Sequence, residues 1–369
     1  MSTTRKTIAG LLWPLTIWYG VGVWIRNLLF SIGVLKETTM PVTTIGVGNL
    51  ACGGTGKTPM VEYLLRLLGD DYSTAVLSRG YRRNTTGFVA YNGDNDTGLL
   101  GDEPTMVAKK FPNVKVAVCE KRVEGVRQLL QSEEPPQLIV LDDVYQHRYI
   151  KPTVNILLTE FNNPFFDDHV LPFGNLREYR KAYRRAHIIV VTKSPENFHP
   201  MVLHNMRQKL NVQSYQRLYF SHIQYDTPTA VYDDDNPRTV ELDTVAQVLL
   251  VSGIAHPGEL TQHVKQHCKV VPMVFEDHHH YTVEDVTKIR NRFEQMKSSN
   301  RIVLVTEKDA IKLQNEDLRD AFAGTPVYSI PIRMVITDNQ DDNFDATLRN
   351  RVKENIFFQQ RISANMPTA

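Results

Sequence analysis

The stretch Ile45-Gly46-Val47-Gly48-Asn49-Leu50-Ala51-Cys52-Gly53-Gly54-Thr55-Gly56-Lys57-Thr58-Pro59 decides the fold. An apolar β-type run, Thr43 to Val47, empties into a glycine-rich turn. From Thr58 the apolar residues Met60, Val61, Leu64, Leu65 and Leu68 recur at helical spacing. Strand, glycine loop and helix in that order are what a phosphate-binding loop requires. Glycines let backbone N–H groups point inward at phosphate oxygens, and the helix N-terminus adds partial positive charge. Gly53, Gly54, Thr55, Gly56, Lys57 and Thr58 are therefore expected to bind nucleotide. Lys57 would reach the β/γ-phosphates and the Thr58 hydroxyl would bind Mg²⁺. The usual pattern, G-x-x-x-x-G-K-[ST], has Ala51 in place of its first glycine. A plain Gly-rich turn between strand and helix is the simpler alternative, and Gly-Gly-x-Gly-Lys-Thr in this context weighs against it.

At 369 residues the chain has room for two domains. A net charge of +1 offers no field that would recruit nucleic acid, and no nucleic-acid partner is expected. Cys52, Cys119 and Cys268 are far apart and odd in number, without disulfide or zinc spacing, which fits a reducing cytoplasm.

Ile8 to Ile25 carries no charge and contains Trp13, Trp18 and Trp24, with Arg5 and Lys6 before it and Arg26 and Lys36 after. A signal peptide would need a small-residue cleavage site, and none follows. A spanning helix is open on length, since the run is near the minimum, and a buried core helix is the plain alternative. Pro14, the tryptophans and the basic flanks suit a helix lying in a membrane interface, so residues 1–36 are expected to attach the protein peripherally.

Beyond the loop helix, the β run Thr74–Ser78 ends in Ser78-Arg79-Gly80-Tyr81, at the strand end where doubly wound sheets bind ligands. Gly101-Asp102-Glu103-Pro104 precedes a helical stretch. Carboxylates there either favour the helix dipole or serve as base or metal ligand, and the pattern alone leaves both open. Leu138-Ile139-Val140-Leu141-Asp142-Asp143 has the form of a Walker B strand, whose acids hold Mg²⁺, and Gln146 and His147 follow directly. Arg180, Lys181, Arg184 and Arg185 are either a solvated face or donors for phosphate or anionic headgroups. The βαβα alternation predicts a parallel sheet covered by helices.

Residues 37–215 are thus expected as a P-loop α/β domain and 216–237 as an extended β linker. A second, smaller α/β domain is expected over 238–345, with a helix and tail at 346–369. In that second domain the stretch Phe275-Glu276-Asp277-His278-His279-His280 suggests a histidine–carboxylate dyad more than a metal site, which needs fixed ligand spacing.

Taken together these motifs resemble one family, the tetraacyldisaccharide 4′-kinases, the lipid A 4′-kinases of Gram-negative bacteria. The resemblance rests on Val47-Gly48-Asn49, Gly53 to Pro59, Ser78-Arg79-Gly80-Tyr81, Gly101-Asp102-Glu103-Pro104 and Leu141-Asp142-Asp143 with Gln146-His147-Arg148. It continues through Leu171-Pro172 with Gly174 and Leu176-Arg177-Glu178, then Gly253-Ile254 with Pro257, Phe275 with Asp277-His278, and Thr306-Glu307-Lys308-Asp309. It implies ATP- and Mg²⁺-dependent phosphorylation of the 4′-hydroxyl of a tetraacyldisaccharide 1-phosphate, giving lipid IVA. It further implies two α/β domains with the active site in the cleft between them, and a hydrophobic amino-terminal helix on the cytoplasmic face of the inner membrane. A monomer is expected.

By resemblance Asp102 is the base that accepts the hydroxyl proton, oriented by His278, and Arg177 stabilises charge on the transferred group. Thr58, Glu103, Asp142 and Asp143 organise Mg²⁺. Asn49, Ser78, Arg79, Tyr81, Gln146, His147 and Asp277 support substrate or metal. Two other readings stay open. A membrane-associated switch ATPase commonly carries a lysine where this chain has Cys52, and a soluble small-molecule kinase or ligase sits poorly with the tryptophan-rich amino end.

Overall fold

The computed structural model describes residues 13–364 apart from 82, 94–96, 234–235, 323 and 338–341. Arg5, Lys6, Ile8 to Leu12, Arg82 and the tail beyond 364 lie outside the described residues.

In chain order the first elements are α1 (Trp13–Ser31), β1 (Thr43–Asn49), α2 (Lys57–Leu68), β2 (Thr74–Ser78), β3 (Val89–Ala90) and α3 (Thr97–Leu100). Then come α4 (Asp102–Lys110), β4 (Lys115–Val118), α5 (Arg122–Leu130), β5 (Leu138–Leu141), β6 (Val154–Glu160), β7 (Ile188–Thr192), α6 (Pro200–Leu210) and β8 (Arg217–Tyr225). The next are β9 (Thr229–Ala230), β10 (Gln247–Ser252), α7 (Gly258–His267), β11 (Lys269–Val274), α8 (Val283–Glu294) and β12 (Arg301–Thr306). Last are α9 (Glu307–Leu313), α10 (Glu316–Ala321), β13 (Val327–Ile330), β14 (Ile332–Thr337) and α11 (Phe344–Ala364).

The chain divides into two compact units, one formed by residues up to Ile223 together with Met334 onward, the other by Gln224–Arg333. The first is built on a nine-stranded sheet in the order β14-β8-β7-β6-β1-β5-β2-β4-β3. β1 is central, paired in parallel with β5 and β6, and all seven of its residues are buried. Strands covered on both faces have no solvent side, which is why β1, β5 and β7 read as apolar runs without alternation. The chain steps from β1 toward β2 and β4 on one side and through β6, β7 and β8 on the other. β1 thus lies at the switch point where ligands bind beyond the strands' carboxyl ends. The register pairs Gly46 with Leu141 and Leu77 with Leu141, so Ser78, Asp142 and the loop after β1 leave the sheet side by side.

Helix α2 packs Met60, Val61, Leu64, Leu65 and Leu68 on the sheet. Helix α11 adds Phe344, Leu348 and Val352, spaced by four, to the same core. Burying such side chains stabilises by roughly 1.5–3 kcal/mol each. Two expectations about boundaries need correction here. Arg217–Tyr225, expected as part of an extended β linker, is β8 and hydrogen-bonds in parallel to β7, with Leu218, Tyr219 and Phe220 buried on its two faces. The carboxyl-terminal helix, expected from 346, begins at Phe344 and belongs to the first unit.

The second unit has a five-stranded sheet, β11-β10-β12-β13-β9, parallel except where β9 meets β13. Val248, Leu249, Leu250 and Val251 of β10 form its buried centre. Helix α8 opens with a capping box, Thr282 and Asp285 each bonding the other's backbone N–H. No helix among the described residues is long and apolar enough to cross a membrane.

Candidate active site

The glycine loop takes the backbone shape that its residue types demand. Gly53 and Gly56 have φ of 120° and 84°, values that side chains with a Cβ rarely adopt. The buried Asn49, last residue of β1, braces the loop from below, its Nδ2 donating to Thr55 Oγ1 at 2.8 Å. The start of the loop is strapped to a distant segment. Ala51 and Leu176 form an antiparallel bridge, Cys52 N–H donates to the Asn175 carbonyl at 2.8 Å, and Arg177 N–H donates to the Leu50 carbonyl at 2.7 Å. That strap delivers Arg177, 120 residues along the chain from Lys57, to the loop.

Arg177 donates to both oxygens of Asp143, at 3.2 and 3.0 Å, and its second nitrogen also donates to Asn49 Oδ1. Lys57 Nζ lies 3.7 Å from the same carboxylate. Burial works against charge on Asp143, but Lys57 and Arg177 outweigh it and hold its carboxyl below the usual carboxylate range. Asp143 sits at φ 47°, a left-handed turn that sends its side chain away from that of Asp142.

The two neighbouring acids therefore serve different surroundings. Asp142 accepts from Ser78 Oγ at 3.1 Å, while its other oxygen is buried with no hydrogen-bond partner. Burial, then Glu103 and Asp143, push its pKa up to about 6. Thr58, Ser78, Glu103 and Asp142 line one small pocket beneath the loop helix. Among the described residues no three His, Cys, Asp or Glu side chains converge to form a metal cage. The Thr58 hydroxyl with the Glu103 and Asp142 carboxylates, the latter carrying the unpartnered oxygen, suits Mg²⁺, which keeps waters and phosphate oxygens as its remaining ligands.

Gln146 Nε2 donates to the Asn49 carbonyl at 2.8 Å. His147 turns inward, Nε2 against the Glu120 carbonyl at 2.9 Å, and burial with the nearby Arg122 charge holds its pKa below the ordinary value. Asp102 and Glu103 occupy the first turn of α4, after Gly101. Arg79 and Tyr81 are exposed, Tyr81 at 65 %. Asp277 and His278 belong to the second unit. There His278 Nε2 lies 3.1 Å from Lys308 Nζ, and Asp277 is 3.9 Å from His278 and 3.8 Å from Lys308.

One residue of this constellation escaped the sequence reading. Arg122 is 1 % exposed and donates to the Cys119 carbonyl at 2.7 Å and the Asp142 carbonyl at 3.0 Å. It clamps the peptide between the two acids. A signal was present, because Arg122, Val126 and Leu129 share the buried face of α5, and an arginine on an apolar helix stripe needs a buried partner.

Comparison with known proteins identifies the family. The family model described as tetraacyldisaccharide-1-P 4′-kinase matches residues 8–353. The tetraacyldisaccharide 4′-kinase of Bacteroides fragilis is 40 % identical over 350 residues, covering 93 % of both chains. That of Flavobacterium johnsoniae is 40 % identical over 356 residues, covering 96 % of this chain and 99 % of its own. A crystal structure of the "apo" form of LpxK from Aquifex aeolicus in complex with ATP superposes with a TM-score of 0.73 at 28 % identity. It spans 95 % of this chain and 99 % of the other. A phosphate loop strapped to an arginine, above a Walker B strand with diverging acids, is thus found on a chain that belongs to the tetraacyldisaccharide-1-P 4′-kinase family.

Proposed function

We propose that this protein transfers the γ-phosphoryl group of ATP to the 4′-hydroxyl of tetraacyldisaccharide 1-phosphate, giving lipid IVA in lipid A biosynthesis. The observation that carries this is the convergence of Lys57, Asp143 and Arg177 on one phosphate loop, in a chain of this family.

Phosphoryl transfer is chiefly positioning and charge stabilisation. In this proposal the loop amides of Gly53 to Gly56 and the Lys57 ammonium hold the β/γ-phosphates. Arg177, fixed by Asp143 and Asn49, meets the charge that spreads over the transferred group. Thr58, Glu103 and Asp142 would hold Mg²⁺, which when bound neutralises phosphate charge. Asp143 acts from the other side by orienting Lys57 and Arg177. Gln146 and the Ser78 hydroxyl keep Asn49 and Asp142 in place, while Arg79, Tyr81 and His147 are assigned to supporting substrate or metal.

Asp102 takes the proton from the sugar hydroxyl, a poor nucleophile without a base. The assignment of His278 to orient that base rests on its motif and on the charged company of Asp277 and Lys308 within the second unit. An Asp102→Asn enzyme with near-normal turnover would sink the base assignment.

The exposed tryptophans of α1, with Trp18 at 76 % and Trp13 and Trp24 at 57 %, support peripheral contact with the cytoplasmic face of the inner membrane, where an acylated substrate resides. The protein is proposed to work as a monomer.

The deciding experiment supplies γ-labelled ATP, Mg²⁺ and the tetraacyldisaccharide 1-phosphate in mixed micelles. Label entering the lipid, and vanishing with Lys57→Ala, supports the kinase. Label released only as inorganic phosphate supports a switch ATPase instead.

A further inference from the structure

Helix α1 presents tryptophans outward, but its other side is bonded to the main chain of the site. The Tyr19 hydroxyl donates to the Arg177 carbonyl oxygen at 3.0 Å. The Arg26 guanidinium donates to the Gln146 carbonyl oxygen. Asn27 Nδ2 donates to Glu178 at 3.1 Å, a carboxylate with no exposed surface that also pairs with Arg185. Phe173 N–H donates to Thr16 Oγ1 at 3.1 Å. At Gly20 a Cβ would stand 2.2 Å from the Tyr179 hydroxyl oxygen, so a larger residue there would have to displace that tyrosine side chain. These contacts fall on residues 173–179 and on Gln146, and the helix also meets Arg148 and Tyr149 through Asn27 and Phe30.

Two of these residues, Arg177 and Gln146, turn their side chains the opposite way. Arg177 extends to Asp143 and Asn49, and Gln146 to the Asn49 carbonyl. A carbonyl held by a hydrogen bond fixes its peptide plane, and with it the direction in which the neighbouring side chain leaves the backbone. Displacements of about 1 Å at a phosphoryl-transfer centre can cost up to about a hundredfold in rate.

We propose that Tyr19 and Arg26 are positioning residues of the phosphoryl-transfer site, setting the backbone of Arg177 and Gln146 from the helix that also faces the lipid. This inference rests on the kinase reading above and deepens it. The helix is one wall of the site as well as its anchor. Were it an anchor alone, loss of either bond would alter stability or lipid affinity and leave turnover per folded enzyme untouched.

Tyr19→Phe and Arg26→Met remove one bond each while Trp13, Trp18 and Trp24 remain. In mixed micelles kcat should fall about five- to tenfold, with KM for the lipid and binding to anionic vesicles as in the parent. Arg26→Lys should recover most of the loss. Added to Arg177→Lys, Tyr19→Phe should cost little more, because both act through one side chain. Hydrogen exchange should quicken over 174–180 in Tyr19→Phe and over 145–149 in Arg26→Met. Unchanged kcat and exchange would overturn the inference, as would a loss that tracks only Tm or vesicle binding. A parent protein that moves no label into lipid defeats the kinase reading instead, and the exchange measurement still decides whether Tyr19 and Arg26 hold these segments.

Discussion

Arg177 grips Asp143 with two nitrogens, at 3.0 and 3.2 Å, although the two residues are 34 positions apart and neither lies in the glycine loop. The pair is bidentate, a geometry a lysine ammonium cannot reproduce. Arg177→Lys keeps the charge and loses the fork. We expect kcat/KM to fall by about 10- to 100-fold, a loss of roughly 1.4–2.8 kcal/mol in transition-state stabilisation. Steady-state kinetics at saturating Mg²⁺ tests this, and near-parental activity would show that only the charge matters.

The diverging acids should separate in their response to metal. Asp142→Asn removes a charge from the pocket of Thr58, Ser78 and Glu103, so the Mg²⁺ concentration giving half-maximal rate should rise at least about tenfold. Asp143→Asn frees Lys57 and Arg177 and should lower kcat while leaving the Mg²⁺ requirement close to the parent's. Titrating Mg²⁺ against rate in both variants decides it, and identical metal curves would contradict the division of labour.

Removing the Arg122 clamp should be felt first as lost stability. Arg122→Met leaves the buried Cys119 and Asp142 carbonyls without their donor. Unsatisfied buried groups cost about 1–3 kcal/mol each, so unfolding should become easier by about 2–4 kcal/mol. Urea denaturation of parent and variant measures this directly, and a midpoint equal to the parent's would refute it.

Acid should destabilise the fold partly through His187. Burial, then the charges of Arg351 and Lys151, hold its pKa below the ordinary value, and Nδ1 accepts from the Asn155 N–H at 2.9 Å. The unfolded chain thus takes up the proton first as pH falls. The contribution of this residue is complete above the unfolded value of about 6.5 and is lost as pH drops through the folded pKa. The stability difference between parent and His187→Gln should therefore shrink from pH 7.5 to pH 5, as read by urea midpoints. A difference independent of pH would exclude this titration.

Vesicle sedimentation tests the outward face of α1. Trp18→Ser removes the most exposed of the described tryptophans, and binding to anionic vesicles should weaken by at least about fivefold with a matching rise in apparent KM for the lipid. Unaltered binding would assign the face another role.

The sequence alone determined the central strand, the phosphate loop and its helix, because each depends on contacts a few residues apart. Period-free apolar runs mark strands buried on both faces, helical spacing marks α2, and glycines mark positive φ at Gly53 and Gly56. The position of Asp142 and Asp143 was legible for the same reason, as charges that terminate the apolar strand β5. Tertiary structure alone decided which way each acid faces, since Asp142 and Asp143 are adjacent in sequence and only the Arg122 clamp and the turn at Asp143 send them apart. It also decided that Arg177 reaches the loop, through a strap between Leu50–Cys52 and Asn175–Arg177, and that β8 and α11 join the first unit. Such pairings bring together groups separated by tens to hundreds of residues. Local propensity carries no record of them, because their stability comes from burial and hydrogen bonds that exist only once the sheet has formed.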